Sequence, residues 1–159
     1  MKFLVSKDIH SNPNFILLLG FYALMLLLYL IGDLFYLSHF FGSSVEEVLF
    51  TLKGNPDEYV EALSLMSLLE HLHISLFLAV FALFSIMAIV LRMRLEHNHK
   101  GFIISLSMAS LLLSFLSLLA TYFLAEFFVY GFFYLSLLWH FSGAYALVII
   151  LLQVWFKKS

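Results

Sequence analysis

The chain has 159 residues, of which 64% are hydrophobic, 18% aromatic and only 11% charged, with a formal net charge of −2. A soluble domain carries about 25% charged residues, so this composition excludes a water-soluble fold and makes the chain a polytopic membrane protein. Cysteine is absent, which excludes disulfides, thiolate metal sites, iron–sulfur clusters and c-type haem attachment.

In chain order, the polar stretch Met1–Pro13 precedes an apolar run from Phe15 to about Phe41, interrupted by Asp33. That run is too long for a signal-peptide core of about 7–15 residues, so it is read as a retained first membrane helix. Its heptad stripe is Tyr22, Met25, Tyr29, Gly32, Tyr36 and His39, with Asp33 beside it. The segment 42–61 lies outside the membrane. Ser44-x-x-Glu47 reads as a capping box for a short amphipathic helix, Val45–Lys53, stopped by Gly54. Asn55, Pro56, Asp57 and Glu58 then suit the start of a long helix reaching about Arg94. At 1.5 Å per residue that helix would be nearly 60 Å long, about twice the hydrocarbon core, so it either projects outward or bends before Glu70. Glu96–Gly101 reads as a hydrophilic turn, Phe102–Ala125 as the third span, and Phe132–Phe156 as the fourth. The expected architecture is an all-α, four-helix transmembrane bundle in one domain, with spans near 14–40, 68–92, 102–125 and 132–156.

Basic residues set the expected orientation. Lys2, Lys7, Arg92, Arg94, Lys100, Lys157 and Lys158 fall on one side and Lys53 alone on the other. The positive-inside rule then puts both termini in the cytoplasm of a bacterial inner membrane, with 42–61 outside.

The costly residues gather toward that outer side. Glu70, His71 and His73 stand together at the head of the second span, and Asp33, His39, Glu126 and His140 fall in the same layer. An ionised group at the bilayer centre costs roughly 2.5–3.5 kcal/mol on insertion scales, so such residues are read as functional by default. Positions i and i+2 lie about 200° apart on a helix, so His71 and His73 point to opposite sides. His71 shares a face with Ser64, Ser67, Ser75, Ala82 and Ser85, small residues that admit a neighbouring helix. His73 shares a face with Glu70, Phe77, Val80, Phe84 and Met87, which suits either the wall of a flat cofactor or lipid. The third span carries a seam of Ser107, Ser110, Ser114, Ser117 and Thr121. In the fourth, Gly143 one turn from His140 leaves room for something broad.

Several chemistries fit. Bis-His ligation of one b-type haem uses His73 and His140, with His71 as substitute. A Cu, Fe or Zn ion draws on His73, His140, Glu70, His71, Asp33 and His39. Glu70-x-x-His73 and Glu96-x-x-His99 have di-iron spacing but lie on opposite sides of the bilayer. Asp33, Glu70, His73, Glu126 and His140 also suit a proton relay, although the inner half offers few polar groups to complete it. No glycine-rich phosphate loop supports nucleotide binding, and nothing points to nucleic acid.

Glu70-His71-Leu72-His73 with Phe77, His140-x-x-Gly143 and Leu151-Leu152-Gln153 resemble a family of small bacterial four-helix membrane proteins with His-x-His on the second span. The layout is more distantly similar to four-helix b-type cytochromes. That likeness leaves room for one haem at most, because the inner half has no intramembrane His. The family resemblance implies no established reaction. The expected function is a small redox subunit holding one haem b, or else a metal ion, near the outer face for electron transfer, rather than a stand-alone enzyme. The alternatives are a cofactor-free structural or assembly subunit and a proton or ion conduit. Expected partners are lipid and a second copy or a redox partner protein.

Overall fold

The computed structural model describes residues 13–56, 59–93 and 95–156. Five helices follow in order: α1 (Pro13–Phe41), α2 (Val45–Lys53), α3 (Leu65–Arg92), α4 (His97–Phe123) and α5 (Phe128–Phe156). Four of them, α1, α3, α4 and α5, are long and apolar enough to cross a membrane. Among the described residues the only extended pairing is an isolated bridge, Asn55 to Val60. The fold is therefore an all-α bundle whose outer surfaces face lipid.

Helix α5 is the axis of the bundle. It packs most closely on α4 and α1 and also touches α3, while α1 and α4 occupy opposite corners. Small residues allow these approaches. Ser107, Ser110, Ser114 and Thr121 are buried on α4, and Ser107 Oγ donates to Ser142 Oγ of α5 at 2.8 Å. A Cβ added to Gly131 would stand 2.7 Å from Ser117 Oγ. The serine seam is thus the α4–α5 contact. On the α1 side, a Cβ at Gly20 would stand 2.8 Å from Trp155 Nε1, and one at Gly143 would stand 3.1 Å from Leu30 Cδ1. The space beside Gly143, expected to admit a broad ligand, is filled by Leu30 of α1.

The end of the bundle that carries α2 is closed by packing. Ser44 caps α2 by accepting from Glu47 N at 3.2 Å. Glu47 reaches one residue further back than a capping box requires, accepting from Ser43 N at 2.6 Å. Gly42 (φ 107) makes the corner before α2, and Gly54 (φ 81) makes the one after it. Val48 and Leu52 bury themselves against Phe41, Leu68, Leu118 and Val129. Lys53, the basic residue that departs from the charge asymmetry, donates to Tyr122 O in the last turn of α4 at 2.8 Å. There it answers the negative end of the helix dipole.

Three boundaries differ from expectation. Helix α3 does not start at Pro56. The backbones of Asn55 and Val60 exchange hydrogen bonds of 2.9 and 3.0 Å. Ser64 then caps the helix, accepting from Ser67 N at 3.1 Å. A helix of 28 residues is about 42 Å long, a fair match to a tilted span. Asp57, Glu58, Arg94 and the terminal lysines lie outside the described residues. The turns expected at 96–101 and 126–131 are largely helical, because α4 begins at His97 and α5 at Phe128.

Candidate functional site

The inward stripe of α1 is Gly20, Ala23, Leu26 and Leu30, followed by Asp33. The stripe of Tyr22, Met25, Gly32, Tyr36 and His39 lies on the neighbouring, largely exposed face. Asp33 therefore points into the bundle two to three turns before α1 ends, and there it meets His140. His140 Nε2 lies 3.0 Å from Asp33 Oδ2, with the two side chains 4% and 11% exposed. His140 Nδ1 lies 2.6 Å from Ser136 O, one turn back on α5. A carbonyl oxygen only accepts, so Nδ1 must carry a hydrogen. The bond between Nε2 and Oδ2 then needs one proton, held either by the imidazole or by the carboxyl. The pair is thus a one-proton store. Loss of that proton would set two lone pairs against each other across the 3.0 Å contact.

His71, on α3, is buried beside this pair. Phe40 stacks on its ring at 4.6 Å with 12° between planes, and Phe41 meets it edge-on at 4.7 Å. Tyr36, half exposed, lies beside both rings, 5.7 Å from the imidazole and 5.9 Å from Phe40, and places its hydroxyl 3.4 Å from Nδ1. Nε2 lies 3.3 Å from Ser75 Oγ. Between His71 and the pair is a small, partly open cavity, with about 10 Å³ available to the centre of a water molecule. Its polar lining is Asp33, His71, Ser75, Ser114 and Ser136. One turn from Asp33 along α1, the buried Tyr29 hydroxyl has no hydrogen-bond partner among the described residues.

The other expected site residues go elsewhere. His73, Glu70, His39 and Glu126 are exposed. His73 and His140 therefore do not face each other. Helical geometry sends His73 outward with Glu70 and Phe77, while His71 turns inward with Ser75, Ala79 and Ala82. Among the described residues no three His, Asp or Glu side chains converge as metal ligands, so Glu70, His73, His39, His71, Asp33 and His140 do not form one shell. A porphyrin does not fit this packing either. Both ring nitrogens of His140 and of His71 are already engaged, Leu30 fills the space at Gly143, and the cavity between the histidines has room for about one water. At the opposite end, exposed His99 pairs with Tyr145 at 3.3 Å.

The Asp33–His140 partnership was accessible to sequence reasoning. A charged group well inside a span must find a partner, and His140 is the ionisable residue on the fourth helix at comparable depth. Ser136 carried no such signal, because a serine hydroxyl on a membrane helix can bond to its own backbone, and Tyr36 carried none, because tyrosine is common at membrane interfaces without any polar partner.

The sequence profile of a family described as a transmembrane helical domain matches residues 38–159. The match takes in His71 and His140 and begins five residues beyond Asp33. No curated protein and no solved structure matches the chain.

Proposed function

The chain belongs to that family, Aq_1264_TM, and from the pair at the centre of its bundle we propose that the protein binds and releases a proton inside the membrane. The observation that carries this reading is the 3.0 Å contact of His140 Nε2 with Asp33 Oδ2, both side chains nearly fully buried. A seryl or asparaginyl bond would join two helices at lower cost, since removing ions from water opposes burial by several kcal/mol each. The single shared proton gives the pair two charge arrangements, and interconversion between them moves charge between α1 and α5. The protein is read as a multi-pass component of a bacterial inner membrane with both termini cytoplasmic. Arg92 and Lys100 at one end, against Lys53 at the other, support that orientation. Labelling of single cysteines introduced at Ser43 and Asn98 from either side of the membrane tests it.

Beyond Ser107 and Ser142 the interior closes with Leu83, Ile86, Val90, Leu147, Ile150 and Val154. That wall favours proton exchange with one end over conduction through the bundle. The test is a pH titration in lipid bilayers, following the ¹⁵N shifts of His140 and the carboxyl stretch of Asp33. Wild type should show one coupled transition in both signals, and Asp33→Asn should remove it. Signals that do not move while the protein stays folded sink the proposal.

The assembly reading has its own support. Asp33–His140, Tyr36–His71 and Ser107–Ser142 each tie one helix to another. Association with a second copy or a redox partner protein belongs to this reading, and the mass of the detergent-solubilised complex tests it. The haem or metal reading rests on two inward histidines, His71 and His140. It requires both to give up their present hydrogen bonds and α3 and α5 to part. A visible spectrum with and without reductant, together with metal analysis on protein made with ample haem and metal, decides it.

A further inference from the structure

The cavity beside Asp33 is small and partly open, and its size corresponds to about one water. Cavities of that size stay dry when apolar and hold water when several polar groups converge on them. Here they converge from every spanning helix. Ser114 of α4 uses its hydrogen on Leu111 O at 2.7 Å, and Ser136 of α5 uses its own on Phe133 O at 2.9 Å. Each therefore presents oxygen lone pairs that a water can donate to. Asp33 supplies a further acceptor, and Ser75, already in contact with His71 Nε2, supplies a hydroxyl. The titratable groups around the cavity are Asp33 with Tyr29 and Tyr36 on α1, His71 on α3 and His140 on α5, while α4 contributes none.

We infer that this cavity holds one water bridging His71 to Asp33, and that Tyr36, His71 and this water form the route by which the buried pair exchanges protons with the α2 end. The inference rests on the proton-binding reading given above. Tyr36 is the half-exposed entry, with its hydroxyl against His71 Nδ1. A proton arriving at Nδ1 releases another from Nε2, which passes through Ser75 and the water to the Asp33 carboxylate. Tyr36 recovers its own proton from the aqueous edge. No electrons move, and the reverse sequence returns the proton. The π face of Phe40, 4.6 Å from the imidazole, attracts a cation, which favours charge on His71 in transit.

The experiment uses the full chain, ¹⁵N-labelled at histidine, in lipid bilayers. Water-edited NMR should show ordered water in contact with His71, and the exchange of the His140 ring protons with bulk water should be measurable. Ala79→Val and Ser114→Val fill the cavity from α3 and α4 without altering a titratable group. Each should slow His140 exchange on the order of tenfold, the factor equivalent to about 1.4 kcal/mol, while leaving its equilibrium titration unchanged. Tyr36→Phe should slow it as well. Unchanged exchange in the folded variants, with His140 titrating as in wild type, overturns the route and leaves proton binding by the pair intact. A pair that does not titrate at all overturns both. Wild-type protein in which His71 touches no ordered water overturns the route without any variant.

Discussion

Near α2 the spanning helices are tied by Asp33 to His140 and by Tyr36 to His71. At the opposite end Leu83, Ile86, Val90, Leu147, Ile150 and Val154 meet as a purely apolar core. Lipid tails are as apolar as leucine, so the second arrangement gains little from burial itself and depends on close fit. The first gains from polar bonds that lipid cannot replace, yet a member left without its partner is heavily penalised. One half therefore tolerates polar loss badly and the other tolerates changes of volume badly.

That contrast can be broken or sharpened by substitution. The largest effect is expected for Asp33→Ala, which strands His140 in the bundle and should lower unfolding free energy in mixed micelles by about 3 kcal/mol. A loss no greater than an exposed substitution gives would remove the distinction between the halves. Next comes Gly143→Val, at the contact of α5 with Leu30, where overpacking should cost about 2 kcal/mol. Adding Leu30→Ala should recover part of that loss, and a double variant no better than the single would show that fit at this seam is not the cause. Tyr29→Phe removes a buried hydroxyl without a partner and should raise stability by up to about 1 kcal/mol. Ser107→Ala removes the neutral bond to Ser142 and should cost about 0.6 kcal/mol, the usual scale for hydrogen bonds between membrane helices. The smallest effect belongs to His73→Ala, within about 0.5 kcal/mol of wild type and with His140 titration unchanged. A large effect there would mean that the outward face of α3 has a role its position does not explain.

Residue pattern revealed some of the site and concealed the rest for a definable reason. The 200° separation of His71 and His73 was evident, and so was their division between a small-residue face and a bulky one. Which face turned inward depended on where α1 and α5 lie, and no property of α3 alone specifies that. Likewise Gly143 signals close approach, but only packing shows that Leu30 of α1 occupies the space. The start of α3 was misplaced because Asn55 and Pro56 are good helix-start residues locally, while the backbone bridge to Val60 takes precedence and Ser64 serves as the cap.

By itself the sequence determined the membrane class, the spanning helices, the short capped helix α2 and the layer in which ionisable groups collect. These follow from hydropathy, helical periodicity and capping chemistry, all local in the chain. Tertiary structure alone decided that His71 lies against Phe40 with the Tyr36 hydroxyl at its Nδ1, and that His73 faces outward, and it brought Asp33 within 3.0 Å of His140. Those facts depend on the relative rotation of helices up to about a hundred residues apart in sequence. In lipid that rotation is set by side-chain fit and by the need of each buried polar group for a partner.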